Sequence, residues 1–159
     1  MESTSRIGAR NDGLDPAAQT PQNQMTESLA SSLEVVVAFT DERTSLDALR
    51  AAASLAADLD AGVLLVVPQV VSHALPLDEP AVPIHFIEQR IKPLVSNLGV
   101  DTTIDICLCR SKKEGLLHAL KPHSLIVVGG RRRWWPTPEK ALVRKLRQAG
   151  HEVIFTETE

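Results

Sequence analysis

Five short apolar runs rich in β-branched residues, separated by segments of helical period, set the narrowest limits on what this chain can fold into. They are Leu33-Glu34-Val35-Val36-Val37-Ala38-Phe39, Val63-Leu64-Leu65-Val66-Val67, Thr103-Ile104-Asp105-Ile106-Cys107-Leu108, Leu125-Ile126-Val127-Val128 and Val153-Ile154-Phe155. Such runs are too short for buried helices and have the composition of strands enclosed on both faces. The third alternates, which places it nearer a sheet edge. Between them the apolar spacing is helical. One helix starts at Thr44 or Ser45, carries Leu49, Ala52, Ala53, Ala56 and Leu59, and stops at Gly62. A second runs from Ile84 through Ile87, Ile91, Leu94, Val95 and Leu98, interrupted by Pro93. Ser111-Lys112-Lys113-Glu114 has capping-box spacing and opens a third, ended at Pro122. The fourth takes Thr137 as its cap and Pro138 at its first position, buries Leu142, Val143 and Leu146, and ends at Gly150. Strand and helix in strict alternation predict an α/β fold of parallel βαβ units with right-handed crossovers.

The 159 residues leave room for one domain. Residues 1–30 are rich in Ser, Thr, Gln, Asn, Gly and Pro and are expected to form a disordered tail, with residues 31–159 as the folded domain. Pro68 is expected to stop the second strand. Pro68 to Pro83 then reads as a loop long enough to cover a site or meet a partner. A net charge of −3 argues against polyanion binding by the chain as a whole. No apolar run approaches the roughly 20 residues of a transmembrane helix, and the N-terminus lacks the apolar stretch of a secretory signal. Two Cys give no disulfide framework, so a cytoplasmic protein is expected. Tyr is absent, and the two Trp are adjacent.

Open parallel sheets bind ligands beyond the carboxyl ends of their strands, where strand order reverses. Two segments therefore qualify: Phe39-Thr40-Asp41-Glu42 and Gly129-Gly130-Arg131-Arg132-Arg133. The second could hold an anion through exposed amides and Arg forks, or be a plain turn. A phosphoacceptor site is not supported, because the third strand ends Cys107-Leu108-Cys109-Arg110 without an Asp. No Gly-x-Gly-x-x-Gly follows the first strand.

Val35-Val36-Val37-Ala38 with its polar turn and Ala48-Leu49, Leu65-Val66-Val67, and above all Leu125-Ile126-Val127-Val128-Gly129-Gly130-Arg131 resemble the universal stress proteins. The last of these is similar to that family's Leu-Ile-Val-Val-Gly-Ser-Arg signature. The resemblance implies an open, doubly wound five-stranded parallel sheet of the adenine nucleotide alpha hydrolase-like type, in order 3-2-1-4-5 with helices on both faces. It also implies a homodimer formed through the last strand, Val153–Phe155, and an adenine-nucleotide pocket near Thr40, Asp41, Val67, Gly129, Gly130 and Arg131. ATP-binding members place an Asp where an ungapped alignment puts Thr40 here. Their phosphate motif needs a second Gly where Arg132 stands, and a Gly with a hydroxyl residue where Leu142-Val143 stand. The expectation is a small non-catalytic stress-response or regulatory protein with a degenerate pocket that binds ATP or another adenine nucleotide weakly.

Arg131 to Arg147 also carries Arg132, Arg133, Lys140, Arg144 and Lys145 against one acid, Glu139, next to Trp134-Trp135-Pro136. Three readings stand: an anion- or nucleic-acid-binding adaptor, a membrane-surface contact, or a solvated helix face whose Arg stems pack on Trp. Cys107 and Cys109 share one strand face and read as packing residues or a redox pair. No catalytic group or metal site is identified among the five scattered His.

Overall fold

The computed structural model describes residues 33–159; the tail expected at residues 1–30 lies outside the described residues. The elements follow in the order β1 (Glu34–Ala38), α1 (Glu42–Leu59), β2 (Gly62–Val70), α2 (Ile84–Val95), β3 (Thr102–Cys109), α3 (Lys112–Ala119), β4 (Leu125–Arg131), α4 (Pro138–Gln148) and β5 (Glu152–Thr158). The strands form one sheet in the order β3-β2-β1-β4-β5, with every pairing parallel. Strand order reverses between β1 and β4.

Alternation along the strands sorts the side chains into two cores. Val35, Val37, Val63, Leu65, Val67 and Val127 pack under Ala48, Leu49, Ala52 and Ala56 of α1 and Ile91 of α2. Val36, Ala38, Val66, Ile126, Val128 and Val153 face Leu116 of α3 and Leu142, Val143 and Leu146 of α4. Alanines line the buried side of α1, so that helix approaches the sheet closely. The near-absence of aromatics thus translates into an aliphatic, three-layer packing.

Local chemistry moves several boundaries away from the sequence reading. α1 starts at Glu42, because Asp41 caps it through its side chain and leaves Thr44 and Ser45 buried inside the first turn. Its left-handed terminal residue is Asp60 (φ 52°), and Gly62 already belongs to β2. β2 runs through Pro68, which is paired with Cys107 of β3. The proline is tolerated because β1 has ended: the pairing of β1 with β2 closes at Ala38 and Val66, leaving an open edge for the missing N–H. Ser111 supplies no side-chain cap to α3, and α2 ends at Val95 with Pro93 inside it. The caps expected for α4 are present: Thr137 Oγ1 accepts from the Lys140 amide at 3.3 Å, and Gly150 takes φ 93°.

The two cysteines are free, on the face of β3 that α3 covers. Gly115 makes that approach possible, since a Cβ there would lie 2.6 Å from Cys109 Sγ. Burial pushes the Cys107 thiol up to about 11 and raises that of Cys109 as well. Both stay protonated at neutral pH, which opposes thiolate chemistry. Native protein at pH 8 is therefore expected to react with iodoacetamide about a hundredfold more slowly at Cys107 than unfolded protein does. Mass spectrometry of the alkylated peptide measures this.

Candidate functional site

β1 ends in Phe39-Thr40-Asp41, and these three residues govern what space remains beside the strand-order reversal. The Thr40 amide donates to Ser45 Oγ at 3.0 Å, and Thr40 Oγ1 lies 3.0 Å from Thr44 Oγ1. The same hydroxyl donates to the Gly129 carbonyl at 3.1 Å. Three side chains that would otherwise be orphaned by burial thus satisfy one another and tie the β1 turn to β4. They sit at the strand-order reversal between β1 and β4.

Asp41 Oδ1 accepts from the Arg43 amide at 2.9 Å and from the Thr44 amide at 3.1 Å. Partial burial pushes this carboxyl up. The hydrogen bonds from Thr44 and Arg43, with the Arg131 charge, outweigh that and hold it below the ordinary aspartate value. A carboxyl with a depressed folded-state pKa stabilises the fold above its unfolded value, and the contribution is lost as the pH falls through the folded one. Asp41→Ala is expected to cost about 1 kcal/mol at neutral pH. In urea titrations the difference from the parent should shrink on acidification below the ordinary aspartate range.

The two glycines of β4 are also explained by packing. Neither forms a turn: Gly129 pairs with Thr156 and Gly130 with Glu157, continuing the β4–β5 ladder. A Cβ on Gly129 would lie 1.9 Å from the Thr44 carbonyl oxygen of α1. One on Gly130 would lie 2.5 Å from the Phe155 ring on the opposite face. The expected glycine loop for phosphate is a strand segment with a helix backbone against one side and an aromatic ring against the other.

What is open lies to either side of Phe39. A groove of about 650 Å³ sits at the carboxyl ends of β1 and β2, floored by Phe39, Val67 and Pro68 and walled by Phe86, Ile87 and Ile91 of α2. Asp41, Glu42, Arg90 and Lys112 ring it. Arg90 and Glu42 form an ion pair between α2 and the start of α1. A smaller cavity of about 210 Å³ lies between α3 and α4, bounded by Phe39, Thr40, Lys112, Leu116 and Leu142. Of the six residues expected at a pocket, Asp41 and Val67 line the groove and Thr40 the smaller cavity. Gly129 and Gly130 line neither. Arg131 lies on the α1 face, beside Asp47 and Thr158.

The seven cations between Arg131 and Arg147 do not form one face. Arg131 is on the α1 side, whereas Lys140, Arg144 and Arg147 line a groove with Val143 and Phe155 on the α4 side. Nor do Arg stems cover the tryptophans, which stand 95% and 73% exposed.

Sequence reasoning passed over Lys112, Phe86, Arg90 and Arg110. For Lys112 there was a signal: two lysines in the first turn of a helix oppose its dipole, so the position is chosen for something other than the helix. Arg110 carried none. Its guanidinium donates to the carbonyls of Val71 (3.2 Å), Ser72 and Leu75 (3.0 Å), fastening the loop that leads to the groove wall. Among the described residues, no three His, Cys, Asp or Glu side chains gather as a metal would require. No described helix is long and apolar enough to cross a membrane.

No protein-family model matches the chain, and no curated protein matches its sequence. Solved structures do match its fold. A universal stress protein from Archaeoglobus fulgidus superposes with a TM-score of 0.59 at 16% identity, covering 82% of this chain and 98% of that one. The universal stress protein of that organism solved in complex with dAMP gives 0.54 at 15%, covering 79% and 98%. A universal stress protein in complex with cAMP gives 0.55 at 16%, covering 81% and 99%. The chain has the universal stress protein fold.

Proposed function

We propose that this chain, sharing its fold with the universal stress proteins, is a non-catalytic regulatory protein that binds an adenine nucleotide by its nucleoside end. The groove at the ends of β1 and β2 carries the reading. It offers an apolar floor, an aromatic wall in Phe86 and a cation in Lys112, in a fold whose neighbours were solved with dAMP and cAMP. Thr40 and Asp41 hold the turn beside it, and Val67 contributes to its floor. Gly129, Gly130 and Arg131 act through the fold around the pocket rather than as a phosphate cradle. Affinity is weak for that reason: each missing charge-assisted phosphate contact forgoes about tenfold.

Two carboxylates reach the groove, and both are engaged, Asp41 as a helix cap and Glu42 with Arg90. That leaves neither placed as a base for hydrolysis. Among the described residues no further strand pairs with the outer edge of β5, and with Ile154 41% exposed that edge suits a homodimer. Two unbridged cysteines accord with a cytoplasmic location.

Calorimetric titration with AMP tests the pocket. Binding is expected in the parent and should weaken about tenfold in Phe86→Ala, whose ring is 52% exposed and whose loss leaves the fold intact. Absence of AMP binding at millimolar concentration, or an unchanged affinity in Phe86→Ala, would overturn the assignment.

A further inference from the structure

The segment between β4 and α4 presents an arrangement that the nucleotide reading does not use. Its backbone is fastened at both ends. The Arg132 amide donates to the Thr158 carbonyl at 2.9 Å, and Lys140 Nζ donates to the Arg133 carbonyl at 2.8 Å. Thr137, 9% exposed, caps α4, and Pro136 and Pro138 restrict the turn on either side of it. Yet the side chains this anchored loop carries are unpacked. Trp134 is 95% exposed and Trp135 73%, with ring centroids 6.1 Å apart and planes tilted by 60°. Arg132 and Arg133, immediately before them, are exposed as well.

Holding two indoles in water on a fixed backbone is unfavourable for a free monomer, and it prepares them for burial elsewhere. Indoles beside guanidinium groups match the interfacial region of an anionic bilayer, where the ring enters the headgroup layer and the cation meets lipid phosphate. We propose that the Arg132–Pro136 loop docks this protein on an anionic lipid surface, with Trp134 and Trp135 entering the headgroup region and Arg132 and Arg133 pairing with lipid phosphates.

A single-stranded nucleic acid fits this site less well. It needs a continuous basic track leading to a stacking platform. Here Arg131 lies on the α1 face, Lys140, Arg144 and Arg147 surround Phe155 on the other, and the two indoles share no plane. A lipid surface needs only a projecting apolar tip with adjacent positive charge, and the loop supplies both. The proposal stands independently of the nucleotide reading.

The sequence itself provides the probe. With two Trp and no Tyr, intrinsic fluorescence reports this loop alone. Vesicles of phosphatidylcholine mixed with phosphatidylglycerol are expected to shift the emission to the blue and to carry the full-length protein into the pellet, whereas pure phosphatidylcholine vesicles do neither. Bromine-labelled acyl chains should quench the shifted emission. Arg132→Gln and Arg133→Gln should each lower the partition coefficient about fivefold. The Trp134→Ala/Trp135→Ala double variant should stop sedimentation while its thermal melt matches the parent's. A parent protein that neither shifts nor sediments with anionic vesicles overturns the proposal. So does a shift produced by single-stranded DNA and not by vesicles, which would assign the loop to nucleic acid. A lipid-free shift that grows with protein concentration also overturns it, because a second copy would then be the cover.

Discussion

Gly129→Ala is expected to destabilise the fold by at least about 3 kcal/mol, well beyond an ordinary glycine-to-alanine exchange in a strand. The added Cβ would lie 1.9 Å from the Thr44 carbonyl oxygen and 2.6 Å from its carbon, both backbone atoms of α1. Relief requires the first turn of α1 to lift from the sheet. That would break the Thr40 bond to the Gly129 carbonyl and disturb the hydroxyl cluster of Thr40, Thr44 and Ser45. Gly130→Ala makes the useful contrast. Its Cβ meets the far end of the Phe155 ring, a side chain that can turn, so about 1 kcal/mol is expected. Thermal melts of ligand-free protein should separate the two, with Gly129→Ala melting about 10 °C below the parent. A ligand-free melt of Gly129→Ala that matched the parent's would remove the packing explanation and leave Gly129 to nucleotide binding alone.

Arg110→Ala should have the next largest effect, about 2–3 kcal/mol, through loss of one charged donor shared by three carbonyls. Val71, Ser72 and Leu75 lie at the start of the connection that leads from β2 to α2, where there is no regular ladder to hold the backbone. Without the guanidinium those carbonyls return to water and residues 72–83 open. Faster thermolysin cleavage ahead of Ala74 or Leu77 is expected, along with weaker AMP binding, because Val82 on the groove wall lies in that stretch and Phe86 follows it. Arg110→Lys should recover only part of the loss, since an ammonium group cannot span three acceptors in the guanidinium's fork geometry.

These two residues show how far the sequence could be read. Strand order follows from alternation plus the resemblance of the Leu125–Arg131 segment, and the apolar runs identify both cores. The β-branched runs are unambiguous because strands enclosed on both faces tolerate little else. Pairwise fits are what sequence conceals. Gly129-Gly130 looks the same whether glycine admits a phosphate or admits a neighbouring helix, and the 1.9 Å distance to the Thr44 carbonyl supplies a packing reason that no sequence pattern shows. Asp41 looked available for a ligand, yet a polar residue before a helix is as readily its cap. The arginines looked continuous because they are close in sequence, but alternation in β4 and the return through α4 distribute them over both sides of the sheet. Arg110 had no pattern at all: its three acceptors lie 35 to 39 residues away.

The central proposal is that an adenine nucleotide is held by its nucleoside end in the groove beside Phe39, while Gly129 and Gly130 serve packing rather than phosphate binding. Comparing AMP with ATP by calorimetry on the same protein tests it most directly. Dissociation constants within about tenfold of each other are the predicted result, because no set of charge-assisted contacts awaits the outer phosphates. ATP binding more than about a hundredfold tighter than AMP, the gain expected from two or more such contacts, would contradict the account and restore β4 as a phosphate site.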